Sequence, residues 1–141
     1  MRDSHCETTA RIAGLRRLAR SVENAPSRDA IMPTLRRLIG EAEDQLYRLE
    51  MALAQLRERP APHAGFMPAP EPAYAGLAVG AYAPALLRAL AAEEQRGAKD
   101  AQQVRDLAHL NGHHMVARLL DLTVEERGAS ARQIAAAFPP H

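Results

Sequence analysis

The chain has 141 residues, 47% of them hydrophobic, yet only two Phe, three Tyr and no Trp. It is therefore about one domain, with a core built from Leu, Ala, Ile, Val and Met, a composition that favours helices over sheets. A formal charge of +1 gives no global field for nucleic acid or anionic lipid, and a single cysteine, Cys6, excludes an internal disulfide. No apolar run of about 18 residues exists and the N-terminus alternates charge with polarity, so neither a membrane span nor a secretory signal is expected, and a reducing cytoplasm fits best.

A first, short helix is predicted over Thr8 to Val22, where Ile12, Leu15, Ala19 and Val22 recur at helical spacing before the breaker Asn24-Ala25-Pro26. Cys6 precedes it. The arginines Arg2, Arg11, Arg16, Arg17, Arg20, Arg28, Arg36 and Arg37 outnumber the acids through residue 40 and read mainly as a solvated helix face.

The second helix is the strongest signal. From Asp29 to Glu58, Ile31, Leu35, Leu38, Ala42, Leu49 and Leu56 repeat every three or four residues, and Gln45 takes the stripe position between Ala42 and Leu49. Asp29 is the expected N-cap, which would put Pro33 in the first turn, and Arg59-Pro60 ends the helix. About 30 residues at a rise of 1.5 Å span roughly 45 Å, a length suited to a bundle.

Between residues 59 and 76 the composition turns to Pro and Ala, predicting an extended, polyproline-like crossover. A third helix is expected from Pro84 through Leu86, Leu87 and Leu90 to a C-cap at Gly97. Asp100 to Gln103 has capping spacing and opens a fourth, with Val104, Leu107, Ala108, Met115, Leu119 and Leu122 on one face. Asn111-Gly112 interrupts it, leaving either one helix with a soft point or two helices meeting there. Ser130 to Gln133 resembles a capping box and predicts a short last helix before Pro139.

The expected fold is thus all-α, a single domain over residues 1–141 in which a Pro-rich crossover joins helices two and three of a four-helix bundle. That connectivity is the one a ferritin-like bundle requires. The stretch Glu41-Ala-Glu-Asp-Gln45-Leu-Tyr-Arg48-Leu49-Glu50, with the boundary at Ser27, resembles the second helix of the ferritin-like bacterial YciE/YciF family, where a Glu is followed by a His or Gln and then Arg-Leu-Glu. The resemblance covers about residues 10 to 60 and, beyond residue 80, helix order alone. It implies a four-helix subunit, commonly a homodimer, linked to stress physiology and in some members to a dinuclear iron site.

Carried over residue by residue, Glu41 and Gln45 match the first-site positions, and Glu93 and Glu94 lie at the foot of the third helix's stripe without the His three residues on that an iron oxidase uses. Gln45 is also a neutral and poor iron ligand, and its favoured reading is a hydrogen-bonded seam amide that sets helix register or a dimer interface. Glu93 and Glu94 read most simply as solvated carboxylates at a helix end, where the unfavourable end of the dipole favours a cationic partner for at least one of them. A separate candidate is Asp106, His109 and His113, which share a face in a continuous helix, opposite the apolar one; their plainer reading is solvated or capping side chains beside an Asn-Gly bend.

No nucleophile elbow, phosphate loop, dinucleotide fingerprint or helix-turn-helix is present, which argues against an enzyme of those classes and against nucleic-acid binding. Two functions remain open. One is a stress-associated ferritin-like protein with a weak or degenerate iron site. The other is a non-enzymatic interaction or dimerisation module without metal.

Overall fold

The computed structural model describes residues 1–58 and 83–137. These form four helices: α1 (Arg2–Val22), α2 (Arg28–Gln55), α3 (Ala83–Leu110) and α4 (His114–Ala136), and no strand occurs among the described residues. The polyproline crossover expected over 59–76 lies outside them.

Pairings across the helices fix their directions. Between α1 and α2, His5 meets Glu50 and Arg16 meets Glu43, so the two run antiparallel. Glu41 meets Ser130 and Arg48 meets Thr123, which makes α2 antiparallel to α4. Glu94 with Arg127 and Arg105 with Asp121 make α3 antiparallel to α4 as well. It follows that α2 and α3 run parallel, the order being up, down, down, up. Gln55 and Ala83, the ends that the long connection joins, therefore lie at opposite ends of the molecule.

Several boundaries differ from those the sequence suggests. The first helix starts at Arg2, which places Cys6 inside it and buried. Ser27 is the N-cap of α2, so Pro33 lies in the second turn and deprives the Asp29 carbonyl of its usual donor. The capping spacing at Asp100 opens no helix: α3 runs through Gly97 and Asp100 to Leu110. The short C-terminal helix expected at Ser130 does not exist either, because Ser130 is inside α4 and its hydroxyl is donated to Glu41 rather than to its own backbone. Tertiary bonding outweighs the local capping pattern at both places.

Gly112 separates two helices. The His113 amide donates to the Ala108 carbonyl at 2.8 Å and the Gly112 amide to His109 at 3.0 Å, a Schellman closure of α3 with Gly112 at φ 80°. The helical phase restarts beyond it. For that reason Val116, Ala117 and Leu120 are buried while Met115 and Leu122, expected inward, are exposed; Leu107, also expected inward, is exposed before the break.

The apolar core falls into two parts. One cluster joins Ile12, Leu15, Val22, Ile31, Leu35, Leu38, Ala42, Leu86, Leu87, Leu90 and Ile134. The other joins Leu49, Ala52, Ala108, Val116, Ala117 and Leu120 at the opposite end. Each fully buried Leu contributes about 1.5–3 kcal/mol relative to exposure, so the first cluster dominates the hydrophobic stabilisation.

Candidate functional site

Polar side chains fill the gap between the two apolar clusters. On α2, Gln45 follows Ala42 of one cluster and precedes Leu49 of the other, and it is 1% exposed. On α3, Glu94 stands one turn beyond Leu90 and is 2% exposed. A neutral amide and a carboxylate buried to this degree require partners, since stranding either costs several kcal/mol.

Arg11 of α1 supplies them. Its Nη1 donates to Gln45 Oε1 at 2.8 Å and its Nη2 to Glu94 Oε1, so one guanidinium ties three helices together. Glu94 accepts on its other oxygen from Arg127 Nε of α4 at 3.1 Å, and Arg127 Nη2 donates to the Glu93 carbonyl at 3.3 Å. Gln45 in turn donates from Nε2 to Glu126 Oε1 at 3.5 Å. Glu126 is gripped by both terminal nitrogens of Arg48, at 2.5 and 2.8 Å. This two-pronged geometry is the strong form of an ion pair.

The hydrogen bond from Arg48 holds the Glu126 carboxyl below its ordinary value, against the upward push of burial, and the same bond raises Arg48. Arg96 is raised chiefly by its hydrogen bond to Glu93.

Gly97 has a specific part in this layer. A Cβ built there would overlap the Arg127 guanidinium, so the missing side chain is what lets Arg127 reach Glu94. Gly97 is mid-helix and buried, not the expected C-cap.

The residues singled out by sequence thus divide. Gln45 and Glu94 enter one interior network. Glu93 turns to Arg96, and Glu41, half-buried, accepts from Ser130 Oγ at 2.7 Å with Arg37 Nε 4.0 Å away. Glu93 and Glu94 are therefore not solvated end-of-helix carboxylates: both are buried and both are paired with arginine. Asp106, His109 and His113 are exposed and do not converge: Asp106 pairs with Arg105, and His109 with His114 through Nδ1 atoms 3.2 Å apart. Arg105, bonded also to Asp121, is raised above its ordinary value.

Sequence reasoning missed Arg11, Arg48, Glu126 and Arg127. Arg11 carried a signal, for it stands four residues before Leu15, eight before Ala19 and eleven before Val22, on the apolar stripe of α1. Charge composition alone consigned it to the solvated face.

These donors do not fit a bound iron. Both oxygens of Glu94 and of Glu126, and the amide oxygen of Gln45, accept from guanidinium groups, and three of those groups already bring positive charge into the layer. No group of three or more His, Cys, Asp or Glu placed to hold a metal ion occurs among the described residues.

No family model, curated protein or solved structure matches this chain. The site has to be read from its own geometry.

Proposed function

We propose that this protein is a non-enzymatic, self-associating helical module of ferritin-like topology, whose interior layer is built from arginine–carboxylate bonds where the YciE/YciF resemblance would put iron. The observation that carries the reading is Arg11, buried between Gln45 and Glu94 and bonded to both. A guanidinium there supplies the positive charge that a cation would otherwise bring, and it orders the carboxylates without leaving an open coordination position. The up, down, down, up order supports the ferritin-like topology.

Support for self-association comes from the turn between α3 and α4. Leu110 is 84% exposed, and Leu107 and Met115 beside it in sequence are more than half exposed. Three large apolar side chains within nine residues at one tip offer a contact surface that a second copy would cover.

A second reading, the stress-associated protein with a weak iron site, is favoured by one observation: Gln45, Glu94 and Glu126 reach the same layer from three helices. Metal analysis of untagged protein after anaerobic iron loading, with mass by light scattering in EDTA, separates the two. The module reading expects no stoichiometric iron and a dimer. About one iron per chain that disappears in Glu94→Gln would overturn it.

A further inference from the structure

The paired histidines at the α3–α4 turn belong to no part of the interior network. His109 is the penultimate residue of α3 and His114 the first of α4, and both rings are exposed. Their Nδ1 atoms lie 3.2 Å apart with ring centroids 5.4 Å apart. The turn that sets this spacing is well fixed, by the Schellman bonds and by Asn111 Nδ2 donating to the Leu107 carbonyl at 2.9 Å.

We infer that His109 and His114 form half of a zinc-class metal site, completed by the same pair from a second copy of the chain. A zinc ion about 2.05 Å from each of two nitrogens separated by this distance subtends an angle of about 100°, close to tetrahedral. The spacing that suits an N–H···N hydrogen bond in the metal-free protein is thus also the bite of a chelate. On metal entry the ring that carries its proton on Nδ1 shifts to the Nε2–H tautomer, so both Nδ1 lone pairs face the ion. Imidazole suits borderline divalent ions such as zinc, copper and nickel.

Two ligands per chain leave a tetrahedral ion half coordinated, and the described residues bring no third metal-ligating side chain to the pair. A twofold axis through the ion supplies two more imidazoles and needs no new residue type. Leu110, next to His109 in sequence and 84% exposed, lies at the same turn as the pair. This deepens the self-association reading and rests on it.

The test is titration of the full-length untagged chain with zinc chloride, reading stoichiometry by calorimetry and mass by sedimentation in EDTA and in zinc. Half a zinc per chain, a dimer that zinc tightens, and loss of both zinc effects in His109→Ala and in His114→Ala are expected, with His113→Ala unchanged. Both substitutions are on the surface, and circular dichroism checks that the fold is kept. One zinc per chain without a gain in mass, zinc binding that survives His109→Ala, or zinc binding lost in His113→Ala overturns the shared site. A dimer in EDTA that binds no zinc overturns this inference and leaves self-association standing. A monomer under both conditions overturns the two together.

Discussion

Replacing Arg11 by Met removes the guanidinium from the layer while keeping an unbranched side chain of similar reach. Among the described residues Glu94 then keeps only Arg127, and the Gln45 amide oxygen loses its Arg11 donor. Breaking one side of a buried ion pair costs about 3–5 kcal/mol. The surviving Arg127 lowers that figure, and the stranded amide oxygen adds about 1–3 kcal/mol. A net loss of about 3–5 kcal/mol is expected, a large share of a total stability of about 5–15 kcal/mol. At about 3 °C per kcal/mol for a chain of this size, the melting midpoint falls by about 10 °C or more. Urea and thermal denaturation of Arg11→Met, Glu94→Gln and the double variant measure the coupling directly. The double variant should recover at least about 1.5 kcal/mol relative to the sum of the singles, because neutralising Glu94 removes the stranded charge. A loss below about 1 kcal/mol in Arg11→Met, or strict additivity, would refute the view that Arg11 neutralises this layer.

Two further outcomes follow from the same bonds. Gly97→Ala should destabilise the native chain despite the roughly 1 kcal/mol that Ala gains over Gly in a helix, because it drives Arg127 off Glu94. In an Arg127→Ala background the sign should reverse, and denaturation midpoints of the four proteins decide it. For pH, Glu126 has a folded carboxyl below its ordinary value of 4.5, so the unfolded chain binds more protons in that range and stability rises with pH there. The contribution is fully present above about pH 4.5 and is lost as pH falls through the lowered folded value. Glu126→Gln should flatten that acid limb in urea midpoints followed from about pH 7 to about pH 3, and an unchanged slope would exclude the Arg48–Glu126 pair as its source.

The first two helices were legible because their signals are local, whereas the boundaries read beyond residue 90 were not, since capping patterns at Asp100 and Ser130 stood inside longer helices. The stripe from Ile31 to Leu56 needs no partner to be recognised, and Asn111-Gly112 marks an interruption through residue types that favour a positive φ, although the sequence left open whether the helix ends there. Gln45 was legible too, as a polar residue at an apolar position. What stayed hidden depended on other helices. Ser130 looks like the start of a helix until Glu41 is seen across from it, and Glu126 and Arg127 look like surface charges until Arg48 and Glu94 are in place. An arginine at a stripe position is ambiguous by itself, because its long stem packs on apolar surface while the head reaches water. Only the buried Glu94 decides that Arg11 points inward.

The polar layer also makes the two ends of the molecule unequal in how easily they open. Beyond it on one side lies a cluster of six buried apolar residues, three of them alanines, with Leu53 and Cys6 buried at the same end. On the other side lies a cluster of eleven, mostly Leu and Ile. Local opening free energy follows buried apolar contact, so amide protons near Val116 and Ala108 should exchange with solvent sooner than those near Leu35 and Leu90. Opening of the weaker end halts at Arg11, where going further would strand Glu94. The end that breathes first is the one that carries the histidine pair, and a metal-bridged neighbour would close it.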